Sequence, residues 1–194
     1  MNRPPILLVM AGPNGSGKST VTNAYPPIGE YVNADEIQRY RQCSTLEAAQ
    51  IAERTREFLL SEGVDFTFET VLSTDRNLKL MQRAKQKGYS VICIYVLTKD
   101  PSINVRRVKA RVEQGGHDVP EEKIVTRYQR AMKLFPQLFN ICDEVYVYDN
   151  SLERGDGEPE RIIEHHNGNT QLLPTDVWTK EMLLDLLEGE YAQP

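Results

Sequence analysis

The sequence predicts a three-layer α/β fold, in which a central five-stranded parallel sheet is flanked by helices and carries a helical hairpin and a small C-terminal appendage. Short runs rich in Val, Ile, Tyr and Phe alternate along the chain with segments of helical periodicity. Strands that alternate with helices need the crossover connections of a parallel sheet. The runs are continuously apolar, which is typical of strands buried on both faces. A glycine-rich loop follows the first run directly, at residues 12–20.

The individual elements follow from these patterns in chain order. The strand-like runs are short, and they cover residues 6–11, 31–33, 65–70, 90–97 and 144–148. The helical segments place apolar residues on one face, and Gly63 and Gly88 end two of them. These segments cover residues 45–61, 78–87, 101–113 and 120–139, and a short helix is expected at 36–40.

A polar, turn-rich break follows residue 150 and divides the chain into two parts. Residues 1–150 are predicted to form the core, including a lid hairpin at 101–139. Residues 151–194 are predicted to be an appendage packed on that core, because they contain too few apolar residues to bury a core of their own. The appendage has a candidate edge strand at 161–166 and a last helix at 180–188.

The composition limits the classes of partner and compartment. The chain is 40% hydrophobic and 26% charged, with a formal net charge of −5. This balance argues against a nucleic-acid partner, since neutralising a phosphate backbone needs clustered Lys and Arg. No apolar run approaches the roughly 18 residues of a membrane span, and the N-terminus lacks the pattern of a signal peptide. Three widely spaced cysteines without a CxxC indicate reduced thiols, so a cytoplasmic protein is expected.

The glycine-rich loop matches the phosphate-binding pattern G-x-x-x-x-G-K-[ST]. In such a loop the backbone N–H groups hold phosphate oxygens, the lysine reaches the β- and γ-phosphates, and the hydroxyl ligates Mg²⁺. The helix that follows adds its N-terminal dipole. The sequence therefore predicts a site for ATP or GTP with Ser19 as the metal ligand. The expected nucleotide-binding residues are Gly12, Pro13, Asn14, Gly15, Ser16, Gly17, Lys18, Ser19 and Thr20.

The surroundings of the loop indicate what the phosphate is for. A signalling GTPase or a motor uses a strand-borne Asp for Mg²⁺, and the third long strand, at 90–97, carries no acid. The N-K-x-D sequence that specifies guanine is absent as well. Acids and arginines instead follow successive strand ends, as in a small-molecule kinase. Phosphoryl transfer needs an acceptor hydroxyl in line, a base, and positive charge on the transferred group.

Two acids are candidates for the acceptor side of such a site. Asp35 follows the second strand, at the end where parallel sheets place their ligands, and can accept the acceptor's proton. The alternative is that Asp35 only caps the helix at 36–40, and Glu36 is a second candidate for the base. Glu69 lies where the third strand leaves the sheet. Glu69 and Thr70 are candidates for binding the acceptor. The alternative for Glu69 is an exposed edge charge.

Arginines cluster in the predicted lid hairpin. Arg107 and Arg111 are four residues apart on one helical face, and Arg127 and Arg130 are three apart on the next helix. The Gly-Gly turn between the helices lets the hairpin close over the phosphates, where arginines exclude water and stabilise charge. Arg107 and Arg111 are the catalytic candidates, Arg111 also contacts the nucleotide, and Arg127 and His117 are candidates for substrate binding. The alternative is a basic helix face that is only solvated.

The sequence resembles the zeta-toxin-like P-loop kinase family in four ordered pieces, "GPNGSGKST", "VNADEI", "FETVLS" and "RRVKARVEQGGHDVPEEKIVTRYQRA", which lie between residues 5 and 150. The resemblance implies a P-loop kinase fold and ATP- and Mg²⁺-dependent phosphorylation of a nucleotide sugar, the 3′-hydroxyl of UDP-N-acetylglucosamine in the well-understood members. It implies that Lys18 and Ser19 hold ATP and Mg²⁺, that Asp35 is the general base, and that Glu69 contacts the acceptor. It also implies that the lid arginines stabilise the transferred group, and that a small helical antitoxin is a possible partner.

Three alternatives remain open on the sequence. A kinase of another small molecule keeps the same chemistry and changes only the pocket. A polynucleotide 5′-kinase needs a basic entrance channel, which the net charge disfavours. A regulatory module binds ATP without transferring its phosphate, and the joint presence of Asp35, Glu69 and the arginines argues against that class.

Overall fold

In a computed structural model the chain is described over residues 3–116, 118–152 and 159–191, with Asn23 described by its backbone alone. One sheet runs through these residues, and helices pack on both of its faces. The predicted α/β fold is therefore confirmed.

The sheet has seven strands in the order β2-β3-β1-β4-β5-β6-β7. The five strands predicted from the sequence are all present and all pair in parallel, with β1 in the middle of the five. The strands are β1 (Ile6–Ala11), β2 (Glu30–Val32), β3 (Phe66–Thr70), β4 (Ser90–Leu97), β5 (Glu144–Asp149), β6 (Glu160–His166) and β7 (Asn169–Leu172).

The expected count of five strands is wrong for the sheet as a whole, because β6 and β7 extend it in antiparallel orientation. The predicted edge strand lies inside the sheet as β6, and β7 forms the edge instead. A two-residue turn joins them, with φ of 47° at Asn167 and 85° at Gly168. Asn-Gly is a strong hairpin signal because both residues tolerate positive φ, so the sequence contained the cue for β7.

The described residues also form eight α-helices. The predicted helix at 120–139 is broken in the structure, because Pro136 has no N–H to donate and a 3₁₀ turn (Phe135–Gln137) replaces the regular helix there. The helices are α1 (Lys18–Ala24), α2 (Ala34–Arg41), α3 (Thr45–Glu62), α4 (Arg76–Gln86), α5 (Pro101–Glu113), α6 (Glu121–Leu134), α7 (Leu138–Ile141) and α8 (Lys180–Glu188).

The core lies on both faces of the sheet. Leu7 and Val9 of β1 point into the larger cluster, which includes buried residues of α3, α4, α6 and α8. Leu8 and Met10 point to the opposite face, where they pack against Val21 of α1. Burial on both faces explains why the predicted strands read as continuous apolar runs.

Residues 98–100 join β4 to α5, and three other parts of the chain hold their backbone. Tyr128 of α6 donates a hydrogen bond to the carbonyl of Thr98. The hydroxyl of Ser151 accepts from the N–H of Lys99 at 2.7 Å, and Tyr191 donates to the Lys99 carbonyl at 3.2 Å. The C-terminal segment is thus attached to the base of the lid. The predicted division of the chain at residue 150 stays a prediction.

Candidate active site

The phosphate loop begins at Gly12, where β1 ends between β3 and β4. The N–H of Gly12 donates to the carbonyl of Thr70 at 3.1 Å. Its φ is 146°, and a Cβ at this position would lie 2.1 Å from the carbonyl oxygen of Val96. Only glycine lets the backbone turn here with the neighbouring strand ends so close.

The end of the loop presents unpaired donors at the start of α1. The N–H groups of Gly17, Lys18 and Ser19 have no acceptor among the residues that the structure describes. The hydroxyl of Ser16 is buried and likewise lacks a partner there. Unpaired N–H groups at a helix N-terminus form an anion site. These residues therefore fit a bound phosphate.

Lys18 lies folded against the loop. Its Nζ donates to the carbonyl oxygens of Gly12 at 2.8 Å and Pro13 at 3.2 Å. Burial lowers the pKa of Lys18 most, Glu69 and Asp35 act to raise it, and Arg111 lowers it further. Lys18 is therefore within electrostatic reach of all three of these predicted site residues.

The candidate metal ligand, Ser19, is exposed on the first turn of α1, and Thr20 follows it. In the described ranges there is no group of three or more His, Cys, Asp and Glu residues that could hold a metal ion. The hydroxyl of Ser19 and the phosphates of a nucleotide are the ligands that a P-loop offers to Mg²⁺.

Two asparagines that the sequence analysis missed hold the loop from outside. Asn104 is fully buried, and its amide donates to the carbonyl of Asn14 at 2.6 Å while its oxygen accepts from Thr98. Asn150 donates to the carbonyl of Ser16 at 2.8 Å. No local pattern could have revealed them, since these bonds join residues 90 and 134 positions apart.

The other two loop glycines are required by these asparagines. A Cβ at Gly15 would lie 2.5 Å from the carbonyl oxygen of Asn104, and one at Gly17 would lie 2.1 Å from Nδ2 of Asn150. Both glycines also have positive φ, 77° and 93°. Phosphate loops need glycine for the turn, and here the close approach of the Asn104 main chain and the Asn150 side chain adds a second reason.

We expect Asn150→Ala to lower the affinity for ATP by about tenfold, the size of one lost hydrogen bond to a constrained loop. The Ser16 carbonyl would lose its donor, and the loop would no longer be held at the start of α1. The measurement is the Kd of a fluorescent ATP analogue. Asn169→Ala, on the exposed edge strand, is the control that should keep wild-type affinity. An unchanged Kd for Asn150→Ala would count against a role in shaping the loop.

Two arginines of the lid helices contact the phosphate loop or Asn150, which holds it. Arg107 of α5 donates to the carbonyl of Asn150 at 2.7 Å, and Arg127 of α6 approaches Oδ1 of Asn14 at 3.4 Å. Arg111, one turn after Arg107, is exposed and acts electrostatically on Lys18. Arg130 is exposed and makes no hydrogen bond or ion pair with the described part of the chain.

The two lid helices pack on each other through a small cluster of their own, which contains Val105, Val108 and Ile124. Gly115 ends α5 with φ of 83°, and Gly116 donates to the carbonyl of Arg111. The predicted helical hairpin is therefore present. His117 lies outside the described residues.

Asp35 is the second residue of α2 and is exposed. The alternative that Asp35 caps this helix is wrong, because the cap is Asn33. The side chain of Asn33 accepts from the N–H of Asp35 at 2.8 Å and of Glu36 at 3.4 Å. Asn followed three residues later by Glu is a helix-start signal, so the sequence contained the cue. The carboxylate of Asp35 is thus left for other contacts.

Glu69 lies on β3, directly beside β1, and is aligned with Met10. It is half-buried and accepts a hydrogen bond from the hydroxyl of Tyr31 at 2.8 Å. The strand without an acid, β4, flanks β1 on the other side, so the strand-borne acid of this site is Glu69. The hydroxyl of Thr70 accepts from Leu72 N–H and Asn77, which places it in the turn after β3.

Comparison with known proteins places the chain in a family. The sequence model described as "Zeta toxin" matches residues 23–156, a range that begins after the phosphate loop. An uncharacterized protein of Haemophilus influenzae (strain ATCC 51907 / DSM 11121 / KW20 / Rd) is 30% identical over 123 residues, which are 60% of this chain and 88% of that protein.

Solved structures support the fold. A chain of the AvrRxo1-ORF1:ORF2 complex with ATP has a TM-score of 0.72 at 14% identity, covering 98% of this chain and 66% of its own length. The present chain thus spans about two thirds of that protein. A chain of the PezAT toxin–antitoxin system of Streptococcus pneumoniae has a TM-score of 0.53 at 20% identity. The match covers 99% of the present chain and 82% of that chain. A chain of the Pnkp1/Rnl/Hen1 RNA repair complex has a TM-score of 0.56 at 20% identity. The match covers 71% of the present chain and 47% of that chain.

These matches support a P-loop kinase-like fold for the chain. Over the described residues, the structure contains no helix that is both long enough and apolar enough to cross a membrane.

Proposed function

The chain belongs to the Zeta toxin family, and from this premise we propose that it transfers the γ-phosphoryl group of ATP to a hydroxyl of a small acceptor. The acceptor that we propose is a UDP-amino sugar such as UDP-N-acetylglucosamine. The observation that carries the proposal is the position of Lys18, which lies within electrostatic reach of Asp35, Glu69 and Arg111. Two acids and a lid arginine, each from a different element, thus lie near the phosphate-binding lysine of the loop.

The donor side of the reaction is served by the loop and the lid. The free N–H groups of Gly17, Lys18 and Ser19 hold phosphate oxygens, and Lys18 leaves the carbonyls of the loop to reach them. Ser19 would hold Mg²⁺, which would offset phosphate charge. The lid arginines, Arg107 and Arg111, add positive charge as the phosphoryl group moves.

The acceptor side is served by Asp35 and Glu69. Asp35 takes the proton of the acceptor hydroxyl while that oxygen bonds to the γ-phosphorus and the bond to the ADP oxygen breaks. Glu69 accepts a hydrogen bond from a second hydroxyl and fixes the orientation of the acceptor. A sugar offers several neighbouring hydroxyl donors, and two carboxylates near one phosphate-binding lysine suit such a ligand. Thr70, which follows Glu69 in β3, and Arg127, which approaches Asn14 of the loop, remain candidates for acceptor binding.

A protein partner is part of the proposal. The PezAT chain comes from a toxin–antitoxin system, and the resemblance in sequence implies a small helical antitoxin that blocks the ATP site. A partner of that kind would occupy the cleft beside Lys18. Such a partner is expected to compete with ATP in a binding assay.

The function is tested by incubating the purified protein with ATP, Mg²⁺ and separate panels of UDP-sugars, nucleosides and 5′-hydroxyl oligonucleotides. We expect UDP-N-acetylglucosamine to accelerate ADP release over the acceptor-free reaction, and ³¹P NMR to identify a new phosphate monoester on the sugar. If only nucleosides or only oligonucleotides are phosphorylated, that class of molecule replaces the UDP-amino sugar as the acceptor. If no acceptor accelerates ADP release while ATP binds, the chain is a nucleotide-binding module and the kinase proposal is wrong.

A further inference from the structure

A continuous chain of hydrogen bonds links the element that carries Asp35 to the carboxylate of Glu69. The N–H of Asp35 donates to Oδ1 of Asn33 at 2.8 Å. Nδ2 of Asn33 donates to the hydroxyl of Tyr31 at 3.0 Å, and that hydroxyl donates to Oε1 of Glu69 at 2.8 Å. The two acids that the proposed function places on the acceptor are therefore joined through two intervening side chains.

The direction of every bond in this chain is fixed by chemistry. The oxygen of the Asn33 amide must face α2, because two backbone N–H groups point at it. The amide nitrogen therefore faces Tyr31 and donates to its oxygen. The phenol proton is then directed at the carboxylate of Glu69, which can only accept. Aligned bonds of this kind polarise and strengthen one another.

The backbone places Tyr31 where it can make this bond. Tyr31 of β2 pairs with Thr67 of β3, so Glu69, two residues further along, lies on the same face of the sheet. Tyr31 is half-buried, and burial followed by the charge of Glu69 raises the pKa of its phenol, opposed by the bond from Asn33. The phenol keeps its proton and remains a donor throughout the neutral pH range.

We infer that Asn33 and Tyr31 are positioning residues, which hold the helix that carries Asp35 and the carboxylate of Glu69 in a fixed relation and so set how the acceptor lies in the site. The inference rests on the proposed function. Neither side chain needs to touch the nucleotide, because the chain runs from α2 to β3 and does not include the phosphate loop. The effect of breaking the chain therefore falls on the acceptor and spares ATP.

Kinetics with UDP-N-acetylglucosamine as the acceptor separate positioning from a general loss of structure. Tyr31→Phe removes one hydroxyl and is expected to raise the KM for the acceptor about tenfold, with the KM for ATP unchanged and the melting temperature lowered by only a few degrees. Asn33→Ser keeps a helix-capping oxygen, but the serine side chain is too short to reach Tyr31. This variant should therefore also raise the KM for the acceptor and leave the KM for ATP unchanged. The double variant should be no worse than either single variant, since the chain breaks only once. Tyr40→Phe, at an exposed tyrosine of α2, is the matched control.

A second measurement is independent of turnover. The side-chain amide resonance of Asn33 in a ¹⁵N-correlated NMR spectrum should shift in Tyr31→Phe and in Glu69→Gln, and should stay in place in Tyr40→Phe. The inference is overturned if the Asn33 amide resonance shifts in neither Tyr31→Phe nor Glu69→Gln. It is also overturned if the KM for ATP and the KM for the acceptor rise equally. A wild-type protein that phosphorylates no acceptor would count against the proposed function alone, and the amide shifts would then decide whether the chain of bonds exists.

Discussion

Replacing Asp35 by asparagine is expected to lower kcat by about 10³-fold, the usual contribution of a positioned general base. The substitution keeps the size of the side chain and leaves the helix cap intact, because Asn33 binds the backbone N–H of Asp35 and not its carboxylate. The amide cannot take the proton of the acceptor hydroxyl. The measurement is steady-state phosphoryl transfer with saturating ATP and acceptor, together with the Kd for ATP, which should remain near the wild-type value.

The matched control for this substitution is Glu36→Gln, one residue further along α2. Glu36 shares the Asn33 cap through its own N–H, at 3.4 Å, so the two variants test adjacent carboxylates on the same turn. We expect Glu36→Gln to retain most of the activity. The opposite result, in which Glu36→Gln is inactive and Asp35→Asn is active, would transfer the role of base to Glu36.

Replacing Lys18 by alanine is expected to reduce kcat/KM for ATP by roughly 10³-fold, since a preorganised cation on the moving phosphoryl group is lost. The loss also removes the donor that Lys18 supplies to the carbonyls of Gly12 and Pro13 in the structure. Both the affinity for ATP and the transfer rate should therefore fall, in contrast to Asp35→Asn.

Lys18→Arg and Lys123→Ala complete this test. Arginine keeps the charge, but its planar fork does not reproduce the compact ammonium group of lysine, so only partial recovery is expected. Lys123 is exposed on α6, and its side chain makes no hydrogen bond or ion pair with the described residues, so its replacement removes only one positive charge. If Lys123→Ala lowers kcat/KM as much as Lys18→Ala does, the effect is one of net charge and the loop assignment is wrong.

Much of the fold could be predicted because its determinants are local. The strand Ser90–Leu97 and the helices Pro101–Glu113 and Lys180–Glu188 have the bounds that the sequence predicts. The continuous apolar runs, Asp-Pro at the start of α5 and the glycine-rich loop each act within a few residues. Two local cues were overlooked, namely Asn-Gly at the β6–β7 turn and the capping pattern that begins at Asn33.

The rest of the site could not be read from local patterns, because distant parts of the chain build it. Asn104 and Asn150 reach the loop across 90 and 134 residues, and neither lies in a recognisable motif. Tyr31 looks like an ordinary strand residue until β2 is paired with β3 and its hydroxyl meets Glu69. The strand order also determines which strand-borne acid lies beside the phosphate loop, and that order follows from the tertiary structure.

The bonds around residues 98–100 determine where the lid can bend. Tyr128, Ser151 and Tyr191 each hold a backbone group of this short segment, so a rotation of the lid about its own base would break several hydrogen bonds at once. The C-terminal segment therefore braces the base of the hairpin, and we expect residues 98–100 to keep their position if the hairpin closes over a nucleotide.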